Sequence, residues 1–282
     1  MRKDVIRRKA TEPRSTAEQD TEARDGGVQS VDRALSIIET LAEDDEGYRL
    51  SDLAIRTGLS TSTVHRLLGT LESRRFVQFD RTESKWHVGA RAFTVGATFA
   101  RRRNFTAQAM PYLRKLRDLT RETANLAVVD DEFIIVLTRM ESREIMRSLT
   151  KVGGRVAMVA SGVGKAVLAT YSNEDVSAII QHHGMPRLTE KSIIRPSDLF
   201  KELEKIRRQG FAVDDEEACM GLRCIAAVIY NDCAEPLAAI SVSGMTGRLT
   251  DERLPMLGRT VREVAAELTV ALGGVMPEAK AG

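Results

Sequence analysis

The sequence holds no uninterrupted apolar stretch of the roughly 18 residues that a membrane-spanning helix needs, which argues against a helical membrane protein. Met1-Arg2-Lys3-Asp4 leads into charge instead of the apolar core of a signal peptide, so a cytoplasmic location is expected. Cysteine is scarce. The three cysteines, Cys219, Cys224 and Cys233, lie in one short region without a C-x-x-C pair and far from His182 and His183. That spacing does not suit a structural zinc site, so reduced thiols in or beside strands are expected, with no metal and no cofactor. Net charge is nearly absent too, +2 over the whole chain, and says little about partners. Internal repeats and low-complexity runs are also missing. What is present, 43% hydrophobic and 29% charged residues over 282 positions, suits a globular protein of two domains.

Residues 1–27 mix charges with Pro13 and Gly26-Gly27 and almost no large apolar side chain, so a disordered tail is expected there. Val31, Leu35, Ile38 and Leu41 recur at helical spacing until the acidic run from Glu43 to Glu46. Next, Ser51 reads as the cap of a short helix with Leu53 and Ala54, Gly58 as a turn, and Ser60 as the cap of a longer helix reaching about Arg74. Short helix, glycine turn and longer helix make a helix-turn-helix. The longer helix has an apolar stripe of Val64, Leu67, Leu68 and Leu71. Two alternating segments, Phe76–Asp80 and Lys85–Val88, flank the polar turn Arg81–Ser84 and read as a wing.

Helical patterns from Ala90 to the triplet Arg101-Arg102-Arg103, and again after Phe105, read as linker helices. From Ala124 onward strands and helices mix: a hairpin across Asp130-Asp131, helices near 163–171, 174–182 and 197–209, and strands at Phe211–Asp214, Leu222–Tyr230 and Pro236–Ser243. A last helix is expected to start at the cap Thr250, with Leu249 stapled onto Leu254, and to end near Gly273-Gly274. The expected organisation is a tail at 1–27, a winged helix-turn-helix at 28–89, linker helices at 90–122, an α/β domain at 123–274 and a tail at 275–282. The fold class is α+β, the second domain having a central, mostly antiparallel sheet.

Although the chain is almost neutral overall, the stretch from Gly47 to Arg103 contains eleven Arg or Lys and four Asp or Glu, a local charge of +7. Cations against phosphate supply most DNA affinity, and side chains on a recognition helix supply sequence choice. The candidates for base edges are Thr61, Ser62, Thr63, His65 and Arg66; Arg74, Arg75, Arg81 and Lys85 are placed for the backbone. A winged module used for protein contacts is the alternative.

In the second domain, Ala239, Ser241 and Ser243 share one strand face, and Ala238, Ile240 and Val242 the other. Neither face is charged, so both are expected to be covered, and buried hydroxyls need partners. A carboxylate would serve, helped by free amides at the start of a helix after Ser161; neighbouring backbone would serve as well. Asp214 is a candidate to orient a carbonyl, its hydrate or Ser241. An enzyme reading of the loop Ser161–Ala166 fails on spacing: Gly162-Val163-Gly164-Lys165 lacks the hydroxyl residue after lysine and the distant first glycine of a phosphate loop. A Cys224 nucleophile has no evident histidine base.

These motifs carry a family resemblance. Leu53-Ala54, Gly58-Leu59-Ser60 and Ser62-Thr63-Val64-His65-Arg66-Leu67-Leu68 resemble the DNA-binding domain of the IclR family of bacterial transcriptional regulators. Ser161–Ala166, Gly210–Glu217, Gly221–Ala227 and Ala239–Gly244 resemble its effector domain. The likeness runs from about Val28 to Gly274 and is strongest to the glyoxylate-responsive members, among them the regulators of isocitrate lyase and of the β-hydroxyaspartate cycle. It implies a GAF-like effector domain, a tetramer built as a dimer of dimers, a palindromic operator in double-stranded DNA, and no enzymatic activity. It also implies that a small acid such as glyoxylate or pyruvate is held by the amides of Gly162 and Val163 and by the side chains of Asp214, Cys224, Ser241 and Ser243. Ile145, Val156 and Leu222 match the apolar wall, whereas another wall position falls on the polar Ser148. Other members sense aromatic acids, the alternative effector.

Overall fold

The computed structural model describes residues 28–102, 105–130, 133–142 and 151–277. The expected N-terminal tail, most of the C-terminal one, Ile145 and Ser148 lie outside the described residues. The chain divides into two units, Met1–Thr98 and Phe99–Gly282, so the boundary falls within the first of the expected linker helices.

The first unit is a winged helix-turn-helix: α1 (Gln29–Ala42), α2 (Leu50–Thr57), α3 (Thr61–Ser73), β1 (Val77–Asp80) and β2 (Lys85–Val88). Its core gathers Ile37, Leu41, Leu53, Val64, Leu68, Val77 and Trp86. In α1 the buried stripe runs through Ile37 and Leu41, and Val31 and Leu35 are exposed. The sequence carries two adjacent apolar stripes there, and the helix buries the one beginning a residue earlier than the Leu35, Ile38 spacing suggests. Ser51 does not cap α2. Arg49 occupies that position in extended backbone, and the Ser51 hydroxyl instead meets Asp52 Oδ1 at 3.2 Å within the first turn. The cause lies just upstream: Tyr48 exchanges backbone hydrogen bonds of 3.0 and 2.8 Å with Trp86, holding the chain extended until residue 48 and adding a third short segment to the wing. Gly58 ends α2 at φ +66°, a conformation that favours glycine.

The second unit places a six-stranded sheet between two helical layers. Its elements are α5 (Phe105–Thr120), β3 (Thr123–Asp130), β4 (Phe133–Met140), β5 (Arg155–Ala157), α6 (Gly162–Leu168), α7 (Asn173–His183), α8 (Pro196–Gln209), β6 (Ala212–Asp215), β7 (Leu222–Tyr230), β8 (Pro236–Met245) and α9 (Leu254–Ala271); α4 (Ala90–Arg102) precedes them. The strand order is β5-β4-β3-β8-β7-β6, every neighbouring pair antiparallel. Period-two alternation in the central strand β8 decides the layering. Ile240 and Val242 join Leu113 and Leu116 of α5 and Val261 and Leu268 of α9 in one core. Ala239, on the opposite face, packs with Val163 and Val167 of α6 and Leu199 and Leu203 of α8. Ser241 lies on this second face, 2% exposed.

The last helix begins later than its cap signal suggests. It starts at Leu254 with Arg253 at the cap, and Asp251–Arg253 form a turn. Pro255 explains the delay, because a helix from Asp251 would require a proline N–H to bond the Asp251 carbonyl, whereas Pro255 in the first turn costs nothing. Asp251 pairs with Arg223 at 2.6 Å.

Candidate functional site

Two groups of predicted residues come together, one in each unit. In the first, Ser60 caps α3 by accepting from the Thr63 amide at 3.3 Å. Of the expected base-facing set, Thr61, Ser62, His65 and Arg66 are exposed on α3. Thr63 differs: it is half-buried, and its hydroxyl lies 2.8 Å from Ser60 Oγ, so it serves the start of the helix. Arg74, Arg75 and Arg81 are exposed. Lys85 is half-buried and pairs with Glu83 at 3.4 Å. The wing turn is closed by Asp80 Oδ1, which accepts from Thr82 and Glu83 amides at 2.7 and 3.2 Å. Those bonds hold the Asp80 carboxyl below its usual range.

In the second unit a cavity of about 100 Å³ opens on the α6 side of the sheet. Strand register builds its floor. Asp214 pairs with Cys224, Cys224 with Ser243, and Ser241 with Asn125, so adjacent strands set these side chains side by side. The start of α6 closes it from above. Ser161 caps that helix, its hydroxyl accepting from Gly164 N at 3.0 Å, which leaves the amides of Gly162 and Val163 as first-turn donors without an intrahelical acceptor. A Cβ on Gly162 would stand 3.1 Å from the Cys224 carbonyl oxygen and 3.3 Å from its sulfur, so glycine lets the loop approach this near. Val156 and Leu222 line the wall, together with Ile134 and Val136.

Sequence reasoning missed Asn125. It is 8% exposed, and its Nδ2 lies 3.3 Å from Ser241 Oγ and 3.2 Å from Ser243 Oγ. Ser241 is thus met by Asn125 and by the Cys224 thiol, not by Asp214. An amide among Ala124, Leu126, Ala127 and Val128 was the available signal.

Asp214 Oδ1 accepts from the amides of Glu217 at 2.8 Å and Ala218 at 3.3 Å, fixing the loop beside the cavity. Burial, then the nearby Glu217 carboxylate, raises the Asp214 carboxyl from 3.8 to about 6, against the pull of those amides and Lys165. Burial and Asp214 likewise push the Cys224 thiol up to about 11, which keeps it neutral and unlike an activated nucleophile. Lys165 is fully buried, its Nζ bonded to the Val213 carbonyl at 2.7 Å and paired with Glu217. The lysine of the Gly162–Lys165 run is thus committed to this buried pair.

The raised Asp214 carboxyl has a consequence for stability. Between pH 3.8 and about 6 the native state holds a proton that the unfolded chain releases, so this contribution is full below 3.8 and is lost as pH rises through 6. Asp214→Asn keeps an oxygen acceptor and removes the titration. Urea unfolding of the protein at pH 4 and pH 7 should show the wild type losing about 2 kcal/mol relative to Asp214→Asn over that interval. Parallel pH curves for the two proteins would contradict the assignment.

Comparison with known proteins adds to this geometry. Residues 30–81 match the IclR helix-turn-helix domain, and residues 97–270 match the bacterial transcriptional regulator IclR C-terminal family. The acetate operon repressor of Salmonella typhimurium is 41% identical over 251 residues, 88% of this chain and 92% of that protein. The transcriptional repressor IclR of Escherichia coli is 40% identical over 252 residues, 89% of this chain and 92% of that one. Among solved structures, an IclR homologue of Microbacterium hydrocarbonoxydans complexed with 4-hydroxybenzoate superposes with a TM-score of 0.72 at 22% identity, covering 86% of this chain and 99% of that one.

Proposed function

Because this chain belongs to the IclR family of bacterial transcriptional regulators, and so is a ligand-responsive DNA-binding regulator and not an enzyme, we propose that its effector is a small carboxylic acid such as glyoxylate or pyruvate. The acid sits in the 100 Å³ cavity with its carboxylate on the hydroxyls of Ser241 and Ser243 and the amides of Gly162 and Val163. Cys224 and Asp214 face its other end, and Ile134, Val156 and Leu222 pack its carbon.

The observation that carries this reading is a set of neutral donors, with the Asp214 carboxyl beside them, around a small and largely apolar cavity. Arg223, the cation in the wall, is already committed to Asp215, Asp251 and the Leu249 carbonyl. The anion is therefore met by hydrogen bonds and helix-terminal amides, a suitable replacement for its water. We take the small cavity to suit a two- or three-carbon acid better than an aromatic one. Calorimetric titration with glyoxylate, pyruvate and 4-hydroxybenzoate tests this: either small acid should bind tighter, and tighter binding of the aromatic acid would instead align the chain with the Microbacterium regulator's ligand.

On the DNA side, Thr61, Ser62, His65 and Arg66 of α3 read the major groove in the cytoplasm, and Arg74, Arg75 and Arg81 hold the backbone. Paired copies of the chain, assembled as a dimer of dimers, meet a palindromic operator. The acid alters operator affinity by binding one arrangement of the assembly better than another, acting through the helices between Ala90 and Thr120. Arg66→Ala should cost about 1–3 kcal/mol on operator DNA and much less on random duplex, measured by fluorescence anisotropy at fixed salt. An equal loss on both duplexes would make Arg66 a phosphate contact.

A further inference from the structure

We infer that Asn125 is the positioning residue of the acid site, holding Ser241 and Ser243 so that both hydroxyl protons are offered to the ligand. This inference rests on the acid-binding reading of the cavity. A primary amide nitrogen has two protons. Here one lies toward each serine oxygen, at 3.3 Å for Ser241 and 3.2 Å for Ser243, so both donors are spent on the pair. Each serine has one O–H and two acceptor lone pairs. With a lone pair occupied by Asn125, the hydroxyl proton is left to point away from it.

Asn125, Ser241 and Ser243 all line the cavity, so a hydroxyl proton turned from Asn125 is within reach of a ligand there. Without a ligand, the neighbouring acceptor is the Cys224 sulfur, which faces Ser243 across the strand pair. A thiol sulfur is a weak acceptor, and a carboxylate is a much better one. Two hydroxyls held as donors on alternate residues of one strand face then match the two oxygens of a carboxylate. Backbone fixes the arrangement, since Asn125 stands directly opposite Ser241 in the β3–β8 register and cannot slide without moving the central strand. Asn125 need not touch the acid to act in this way.

An aspartate at the same place reverses the polarity. A carboxylate at position 125 accepts from the serines and repels the incoming anion, and protonating it removes both effects. The test is calorimetric titration of the full-length protein with glyoxylate and pyruvate from pH 5 to pH 8, for wild type, Asn125→Ala and Asn125→Asp. Circular dichroism and operator binding report folding in each case. Asp214, Cys224 and Arg223 also face the cavity, and Asp214 titrates in this range in every variant, so the quantity read is the difference from wild type. Asn125→Ala should weaken acid binding about tenfold at every pH, the equivalent of one or two lost neutral hydrogen bonds. Asn125→Asp should weaken it more at pH 8 and recover as pH falls, a slope that a loss of packing alone would not produce. Wild-type affinity in folded Asn125→Asp at pH 8 would overturn the inference. If that variant does not fold, unchanged affinity in Asn125→Ala would overturn it equally. Failure of the wild type to bind either acid would count against the reading of the cavity itself, a separate result.

Discussion

Replacing Ser241 and Ser243 together by alanine is expected to weaken acid binding at least about a hundredfold while leaving operator binding without ligand within about twofold. Each serine hydroxyl that meets a carboxylate makes a charge-assisted hydrogen bond, worth roughly 1.5–3 kcal/mol when one partner is removed. Two such losses exceed the 2.7 kcal/mol or so that a hundredfold change requires. The substitution removes only two oxygens from a wall that already holds Ala127 and Ala218. It also frees the Asn125 amide, whose loss of partners costs some stability without reaching the first unit. Calorimetry gives the affinity and anisotropy on operator DNA the control. Retained acid binding in a folded double variant would remove these serines from the site.

The second large effect concerns Lys165. Its ammonium is fully buried against Glu217 and the Val213 carbonyl, and the second Glu217 oxygen is buried with no partner among the described residues. Lys165→Met would leave the carboxylate of Glu217 buried without its counter-charge, a change that costs about 3–5 kcal/mol when one member of such a pair is removed. Burial already raises the Glu217 carboxyl, and Lys165 is the chief influence pulling it back down. Without the lysine, Glu217 takes up a proton more readily, so the destabilisation should shrink as pH falls. Urea unfolding at pH 5 and pH 8 reads this directly. Pairing Lys165→Met with Glu217→Gln should return a good part of the loss, because no charge is then stranded. A cost below about 1 kcal/mol at pH 8 would show that the pair contributes little to the fold.

Much of this architecture was legible in the sequence because its signals are local. Gly58 and Ser60 bracket the turn of the first unit, and both act as their residue types require. Strand β8 was readable by alternation, since a period of two assigns Ser241 and Ser243 to one face before any partner is known. What was not legible depends on distant residues. Tyr48 pairs with Trp86, a contact no window around Ser51 contains, and it moved the start of α2. Pro255 outweighed the cap signal at Thr250 because a missing N–H is a hard constraint and a capping hydroxyl a mild preference. Asn125 joined the site only through the register of β3 against β8, which lie more than a hundred residues apart in the chain. Likewise Lys165 read as part of a glycine-rich loop, and its real partner Glu217 arrives from beyond β6.

The two units are useful together only if acid in one changes the grip of the other on DNA. Operator affinity should therefore be measured by anisotropy across a glyoxylate titration, for the wild type and for the Ser241→Ala, Ser243→Ala protein. The wild type should shift by roughly 5- to 150-fold at saturating acid, with acid affinity shifting by the same factor when operator is present, and the double variant should not shift. A wild type whose operator affinity stays constant while the cavity fills, or a variant that responds equally, would contradict the coupling of this cavity to DNA binding.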